Sequence, residues 1–177
     1  CMIQERMYLP TSFVEDRPEV IADLIARHPL GLLITGSDLQ ASHVPLLFQP
    51  PAAGTPGLLR GHLALANPHG QTLDGAAALV VFQGPEAYIS PSTYPTKKHD
   101  PRQVPTWNYE VVHAHGTLTV HDDERFVRGL VARLTRRHEA AEPQPWKSYT
   151  QPLRLEHDDV PERRHGHQIG RASCRER

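Results

Sequence analysis

Residues 84–109, GPEAYISPSTYPTKKHDPRQVPTWNY, hold five prolines, three tyrosines and a tryptophan between two strand-like apolar runs. Proline fixes its own φ and biases the preceding residue toward extended geometry, so Pro85, Pro91, Pro95, Pro101 and Pro105 keep the stretch from coiling into a helix. A connection this long without regular structure is uncommon in a compact domain unless it is functional or disordered. Disordered segments are poor in aromatics, whereas Tyr88, Tyr94, Trp107 and Tyr109 supply flat amphipathic surfaces that need something to pack on. An ordered loop, folded over a ligand or across a subunit interface, is the expectation.

The flanking pattern places that loop in a mainly β chain. Val20, Ile21, Leu24 and Ile25 recur at helical spacing over 16–28, with Asp16 as the expected cap and Pro18 in the first turn. The apolar run 30–35 ends in the turn signal Gly36-Ser37-Asp38, and 40–48 follows as its hairpin partner. A third strand is expected at 58–63, a short helical turn at 64–73, and a buried strand at 76–83. After the loop, 106–110 forms one turn, 111–121 a strand with a bulge at Gly116, and 122–138 a helix whose face is Phe126, Leu130, Val131 and Leu134. Tight hairpin links predict an antiparallel sheet closed toward a small barrel, with flanking helices. No strand, G-x-G-x-x-G and helix succession supports a Rossmann domain.

At 177 residues and 19.8 kDa the chain has the size of one domain. The 19 Lys and Arg against 20 Asp and Glu leave a net charge of −1, so direct nucleic-acid binding by a basic face is not expected. The two cysteines, Cys1 and Cys174, allow no internal disulfide framework or CxxC metal site, which suits a reducing cytoplasm. No run of about 18 apolar residues and no leader pattern is present, so a cytoplasmic protein without a membrane partner is expected. Residues 1–6 read as an upstream extension and 7–150 as the domain. Residues 168–177 resemble a sequencing adapter translated in frame, so 151–177 read as a truncated or artefactual tail.

Four polar clusters interrupt the apolar runs: Ser42-His43, 61–67 with His62 and Asn67, 90–98 with Lys97-Lys98, and 106–109 with His113 and His115 beyond. His43 lies in an apolar strand and reads either as a core or interface residue or as a ligand contact. His62 ends a strand ahead of a helical turn whose free N–H groups would suit a phosphate. Lys97 sits at a loop tip where it could meet an anion, or simply solvate. Trp107 and Tyr109 offer π-faces to a flat heteroaromatic ring, or pack as core. His113 and His115 share a strand face without a carboxylate or thiolate to complete a metal set, so no metal site is expected. No G-x-S-x-G elbow, usable cysteine or carboxylate pair supports nucleophilic or acid–base catalysis, so no catalytic residues are assigned and binding is favoured over an enzyme.

The blocks MYLPTSFVEDRPEVIADLIARHPLGLLIT, ASHVPLLF, LRGHLALANPH, VVFQGPEAYISPSTYPTKK and VPTWNYEVVHAHGTL resemble successive signature blocks of the PaiB family, bacterial FMN-binding negative regulators of transcription. The resemblance runs from Met7 to about residue 146 and implies an FMN-binding split barrel, a Greek-key β-barrel assembled as a homodimer with flavin sites between subunits. It implies regulation of sporulation and extracellular protease synthesis, which for a chain without a basic face would act indirectly, through the flavin or a partner protein. A flavin-linked oxidoreductase or haem-handling enzyme on the same barrel is the alternative. By similarity the FMN phosphate would lie between His62 and Asn67. The isoalloxazine would lie against strand edges, with Trp107, Asn108 and Tyr109 as contacts; His43 and Lys97 complete the candidate set. Family members continue into a further strand and a segment resembling K-W-K-x-S-Q-N-R, so the barrel is expected to lack its C-terminal strand.

Overall fold

The computed structural model describes residues 8–36, 38–53, 57–64, 66–72, 74–95 and 103–144, with backbone only at 71–72 and 168–174. Helix α1 (Pro18–Arg27) begins on a proline, whose locked φ and missing donor suit a first helical position. Arg17 rather than Asp16 is the N-cap residue, and it makes no side-chain cap bond because a guanidinium has no acceptor to offer a backbone N–H; it donates to Glu15 instead. Glu19 in the first turn and Arg27 in the last complement the helix dipole. Leu24 and Ile25 are the residues that α1 buries in the core.

Strand β1 (Leu30–Thr35) turns through Gly36, at φ 75°, into β2 (Gln40–Pro45). The expected single strand over 40–48 breaks at Leu46, whose N–H donates to the Pro29 carbonyl instead of to a ladder. Pro45 has no donor to continue the pairing. The chain thereby changes sheets, and β3 (Leu47–Gln49) pairs with β4 (Gly57–His62). A 3-10 turn at Pro68–Thr72 follows, then β5 (Ala77–Ile89), β6 (Thr106–Thr117), β7 (Val120–His121) and helix α2 (Glu124–His138). The Asp123 carboxylate caps α2 by accepting the Phe126 N–H at 2.6 Å.

All pairings are antiparallel. One sheet runs β2-β1-β5-β6, and the other runs β3-β4-β8-β7, where β8 is Gln168–Cys174. The two sheets do not close on one another; β2 passes into β3 at one corner and β6 toward β7 at the other, the open arrangement of a split barrel. Between the sheets lie Leu33, Val44, Leu46, Leu59, Leu63, Val80, Phe82, Ala114 and Leu118, all buried. Gly31 is part of this packing, since a Cβ there would lie 2.7 Å from Val80 Cγ1 and 2.8 Å from Leu46 Cδ1.

Two expectations are corrected. The supposed loop is strand at both ends: β5 and β6 stay paired from Glu86↔Tyr109 to Ile89↔Thr106, so 106–110 is strand and not a turn. Pro85 is accommodated at a register shift between Gln83 and Glu86, where a bulged residue needs no ladder donor. Gly116, expected at a bulge, instead pairs in register with Ala78. The backbone of 168–174, within the stretch read as a tail, lies between β4 and β7. An open strand edge presents unpaired N–H and C=O groups that an extended segment satisfies through its backbone, whatever its side chains.

Candidate functional site

Strand parity decides which polar residues meet. Across the first sheet Ser42, Leu33, Val80 and Ala114 lie in one row, and Val44, Gly31, Phe82 and Val112 in another, on the side that holds the core. On the opposite side the rows are His43, Leu32, Val81 and His113, then Ala41, Ile34, Leu79 and His115. His43 is exposed there, so it is not a core histidine. The His113 and His115 rings stand edge to face with centroids 6.5 Å apart. Burial lowers the pKa of His113 below the ordinary imidazole value.

A buried polar knot lies where β1, β2 and the 3-10 turn converge. His69 is 4% exposed, and its two ring nitrogens meet two hydroxyls: Nε2 lies 2.6 Å from Thr35 Oγ1, and Nδ1 lies 2.8 Å from Ser42 Oγ. The His69 N–H donates to Asn67 Oδ1 at 3.0 Å, which fixes the orientation of that amide. Asn67 Nδ2 then donates to Ser42 Oγ at 3.3 Å. Burial pushes the His69 pKa down, with Asp38 pulling the other way. Every polar atom of the imidazole is partnered, as a buried imidazole requires.

His62 contrasts with it. It is half-buried at the end of β4, and its Nδ1 is shielded from solvent without a hydrogen-bond partner among the described residues. Burial lowers its pKa. Such an orphaned nitrogen is what a polar ligand atom, such as a phosphate oxygen or a ribityl hydroxyl, would satisfy.

The third feature is the ribbon formed where β5 and β6 pair alone. The register shift at Gly84-Pro85 brings Glu86 to the side of Gln83, and the two side chains bond, Gln83 Nε2 donating to Glu86 Oε2 at 3.2 Å. Tyr88 and Trp107 pair across the strands with ring centroids 5.9 Å apart, and Trp107 Nε1 donates to Glu86 Oε2 at 3.2 Å. Tyr109 lies opposite Glu86. These rings are exposed: Tyr88 56%, Trp107 54% and Tyr109 64%. Strand alternation directs Asn108 to the other side of the ribbon, so Trp107, Asn108 and Tyr109 do not form one surface.

The sequence-predicted residues therefore fall into separate places. Asn67 joins the buried knot, its amide committed to Ser42 and His69. His62 ends β4, His43 faces outward on β2, and Trp107 and Tyr109 line the ribbon. Lys97 lies outside the described residues. Sequence reasoning marks Ser42 only through the Ser42-His43 cluster and does not single out Thr35 or His69; nothing in the spacing of the run Asn67-Pro68-His69 tells which of the three points inward. Among the described residues no group of three or more His, Cys, Asp or Glu could hold a metal ion, and no helix is long and apolar enough to cross a membrane.

A family described as "Putative FMN-binding domain" matches residues 7–159. The protease synthase and sporulation protein PAI 2 of Bacillus subtilis is 32% identical over 131 residues, covering 72% of this chain and 60% of that protein. An Aspergillus fumigatus protein is 31% identical over 188 residues, 80% of this chain and 72% of its own, and a Saccharomyces cerevisiae protein is 37% identical over 106 residues, 59% and 62%. The chain thus spans between 60% and 72% of the length of these relatives. Among solved structures, the FAD and heme binding protein from Mycobacterium smegmatis matches with a TM-score of 0.56 at 19% identity, over 89% of this chain and 66% of that one, a likeness of fold.

Proposed function

We propose, from the premise that the chain belongs to the PaiB-like family of FMN-binding proteins, that it works as a flavin-binding homodimer whose two sites each draw on both copies. The observation that carries this reading is a separation. Thr35 pairs with Ala78 and Ala78 with Gly116, so the His69 knot stands at one end of the sheet, while Trp107 stands nine residues further along β6. At ~3.3 Å per residue that is roughly 30 Å. FMN, a three-ring system joined to its phosphate by a five-carbon chain, is far shorter. Within one chain Trp107 and the His69–Asn67 knot thus stand too far apart to grip one such molecule, and two copies can bring them together.

The outward side of the first sheet supports the dimer. Leu32, Ile34, Leu79 and Val81 make an apolar field there, bordered by His43, His113 and His115 and continuous with Tyr88, Trp107 and Tyr109. Rings this exposed at a sheet face are the kind of residue that anchors an interface. In this reading Trp107 and Tyr109 hold the ring system of the flavin, His62 Nδ1 meets its phosphate or ribityl end from the other copy, and Lys97 adds positive charge. When bound, the flavin supplies reversible electron acceptance; the chain itself binds, orients and shields it. Residues 7–150 are the unit that does this.

Regulation follows as the finer proposal. The chain is read as a negative regulator of gene expression in the cytoplasm, a role suited to its family resemblance and to a relative named for protease synthesis and sporulation. With a net charge of −1 and no DNA-reading helix pair among the described residues, such control would pass through a partner protein that distinguishes flavin-loaded from empty dimer. The test is complementation: His62→Ala and Trp107→Ala each abolish FMN fluorescence quenching alone, and mixing them restores one site per heterodimer. No recovery on mixing, in a sample shown by sedimentation to contain the mixed dimer, would refute the shared site.

A further inference from the structure

We infer that His69 is a proton-sensitive positioning residue, which holds the 64–72 turn in its ligand-facing geometry only while its imidazole is neutral. This deepens the reading above and rests on it for the identity of the ligand, since that turn is the proposed phosphate end. Among the described residues the turn's own backbone bonds are local. The Asn67 N–H bonds to Ala64 O and the Gly70 N–H to Asn67 O, both local bonds. Its tie to the sheet runs through His69 to Thr35 on β1 and Ser42 on β2, and through Asn67 to Ser42.

In either neutral tautomer one imidazole nitrogen donates and the other accepts, so one hydroxyl gives its proton to the ring and the other receives one. Protonation makes both nitrogens donors. Both hydroxyls must then accept, and Ser42 Oγ, which also accepts from Asn67 Nδ2, has both lone pairs taken. The hydroxyl that had donated loses its acceptor, at a buried position for Thr35 and a half-buried one for Ser42. Among the described residues, the groups packed on the ring from β1, β2 and its own turn, Thr35, Ser42 and Asn67, are uncharged, and Asp38 in the β1–β2 connection is the charge that acts on it. A cation here is stabilised by no direct ion pair, and it gains hydration only if the turn lifts from the sheet.

Two measurements on the full chain test this. The first needs no ligand: hydrogen exchange of the 67–72 amides, each rate divided by its intrinsic value, in wild type and in His69→Gln. The Gln side chain is neutral at every pH and able to donate and accept. Between pH about 8 and about 5.5 the wild-type protection falls about tenfold, with a midpoint equal to the His69 titration followed by NMR, while His69→Gln shows no such step. Protection that does not change, or changes equally in the variant, overturns the inference even if flavin binds. The second measures the preference for FMN over riboflavin, which isolates the phosphate. In wild type it falls with the same midpoint; in His69→Gln only the phosphate's own titration near pH ~6 remains. If FMN does not bind at all, the proposed ligand fails while the exchange data still decide the role of His69. If FMN binds with a pH-independent phosphate preference after correction against the variant, the positioning role fails.

Discussion

The buried knot around His69 and the aromatic ribbon around Trp107 solve the same problem in opposite ways. Each gathers polar and π-bearing groups contributed by distant parts of the chain. In the knot both ring nitrogens and the backbone N–H of His69 find partners within the same chain, and the residue is 4% exposed. In the ribbon the internal bonds go to one carboxylate oxygen, Glu86 Oε2, and the ring faces stay open to solvent. A satisfied, closed cluster contributes to folding. An open aromatic face contributes little to folding and a great deal to whatever covers it.

That difference can be broken most severely at the knot. His69→Ala is expected to lower unfolding stability by about 2 to 4 kcal/mol, because it leaves two hydroxyls without their partner and a cavity beneath the turn. Urea denaturation measures it; a loss under about 0.5 kcal/mol would mean the knot relaxes onto water. Trp107→Ala reverses the pattern: folding stability of the isolated chain moves by less than about 0.5 kcal/mol, while dimerisation or FMN affinity weakens by tenfold or more. Sedimentation and flavin titration on one sample separate the two quantities.

Acidification sharpens the comparison further. His69, His62 and His113 all have folded pKa values lowered by burial, so the unfolded chain takes up their protons first. Stability from these groups is complete above the unfolded value of about 6.5 and is lost as pH falls from there through the lowered folded values. His69→Gln removes part of that slope, and Trp107→Ala leaves it intact; a pH series of denaturation midpoints reads both. The smallest expected effect is local. Asp123→Ala removes the cap of α2 and costs about 1 kcal/mol without altering the FMN-over-riboflavin preference, which serves as a control for unspecific destabilisation.

Much of the scaffold was legible because its signals are local. Pro18 with the spacing of Leu24 and Ile25 marked α1, Gly36 marked the hairpin between β1 and β2, and Phe126 to Leu134 marked α2. The ribbon was misread because proline content speaks about φ and donors, and an extended strand with a bulge satisfies both as well as a loop does. The candidate site was half legible. Asn67 and His62 were picked out, yet the imidazole that organises the turn, His69, and its partner Thr35 were not, since hydrogen bonds between residues 35 and 69 carry no sequence signature.

By itself the sequence determined the class of fold, the family, and the residue types available for a flavin, because periodicity, turn chemistry and signature blocks are properties of the chain order. The tertiary structure alone decided which of those residues share a surface. It set Asn108 on the far side of the ribbon from Trp107, turned His43 outward, and drew His69 between two strands. The physical reason is that strand pairing register and sheet packing are fixed by the sum of many distant contacts, and a shift of one residue sends a side chain to the opposite face.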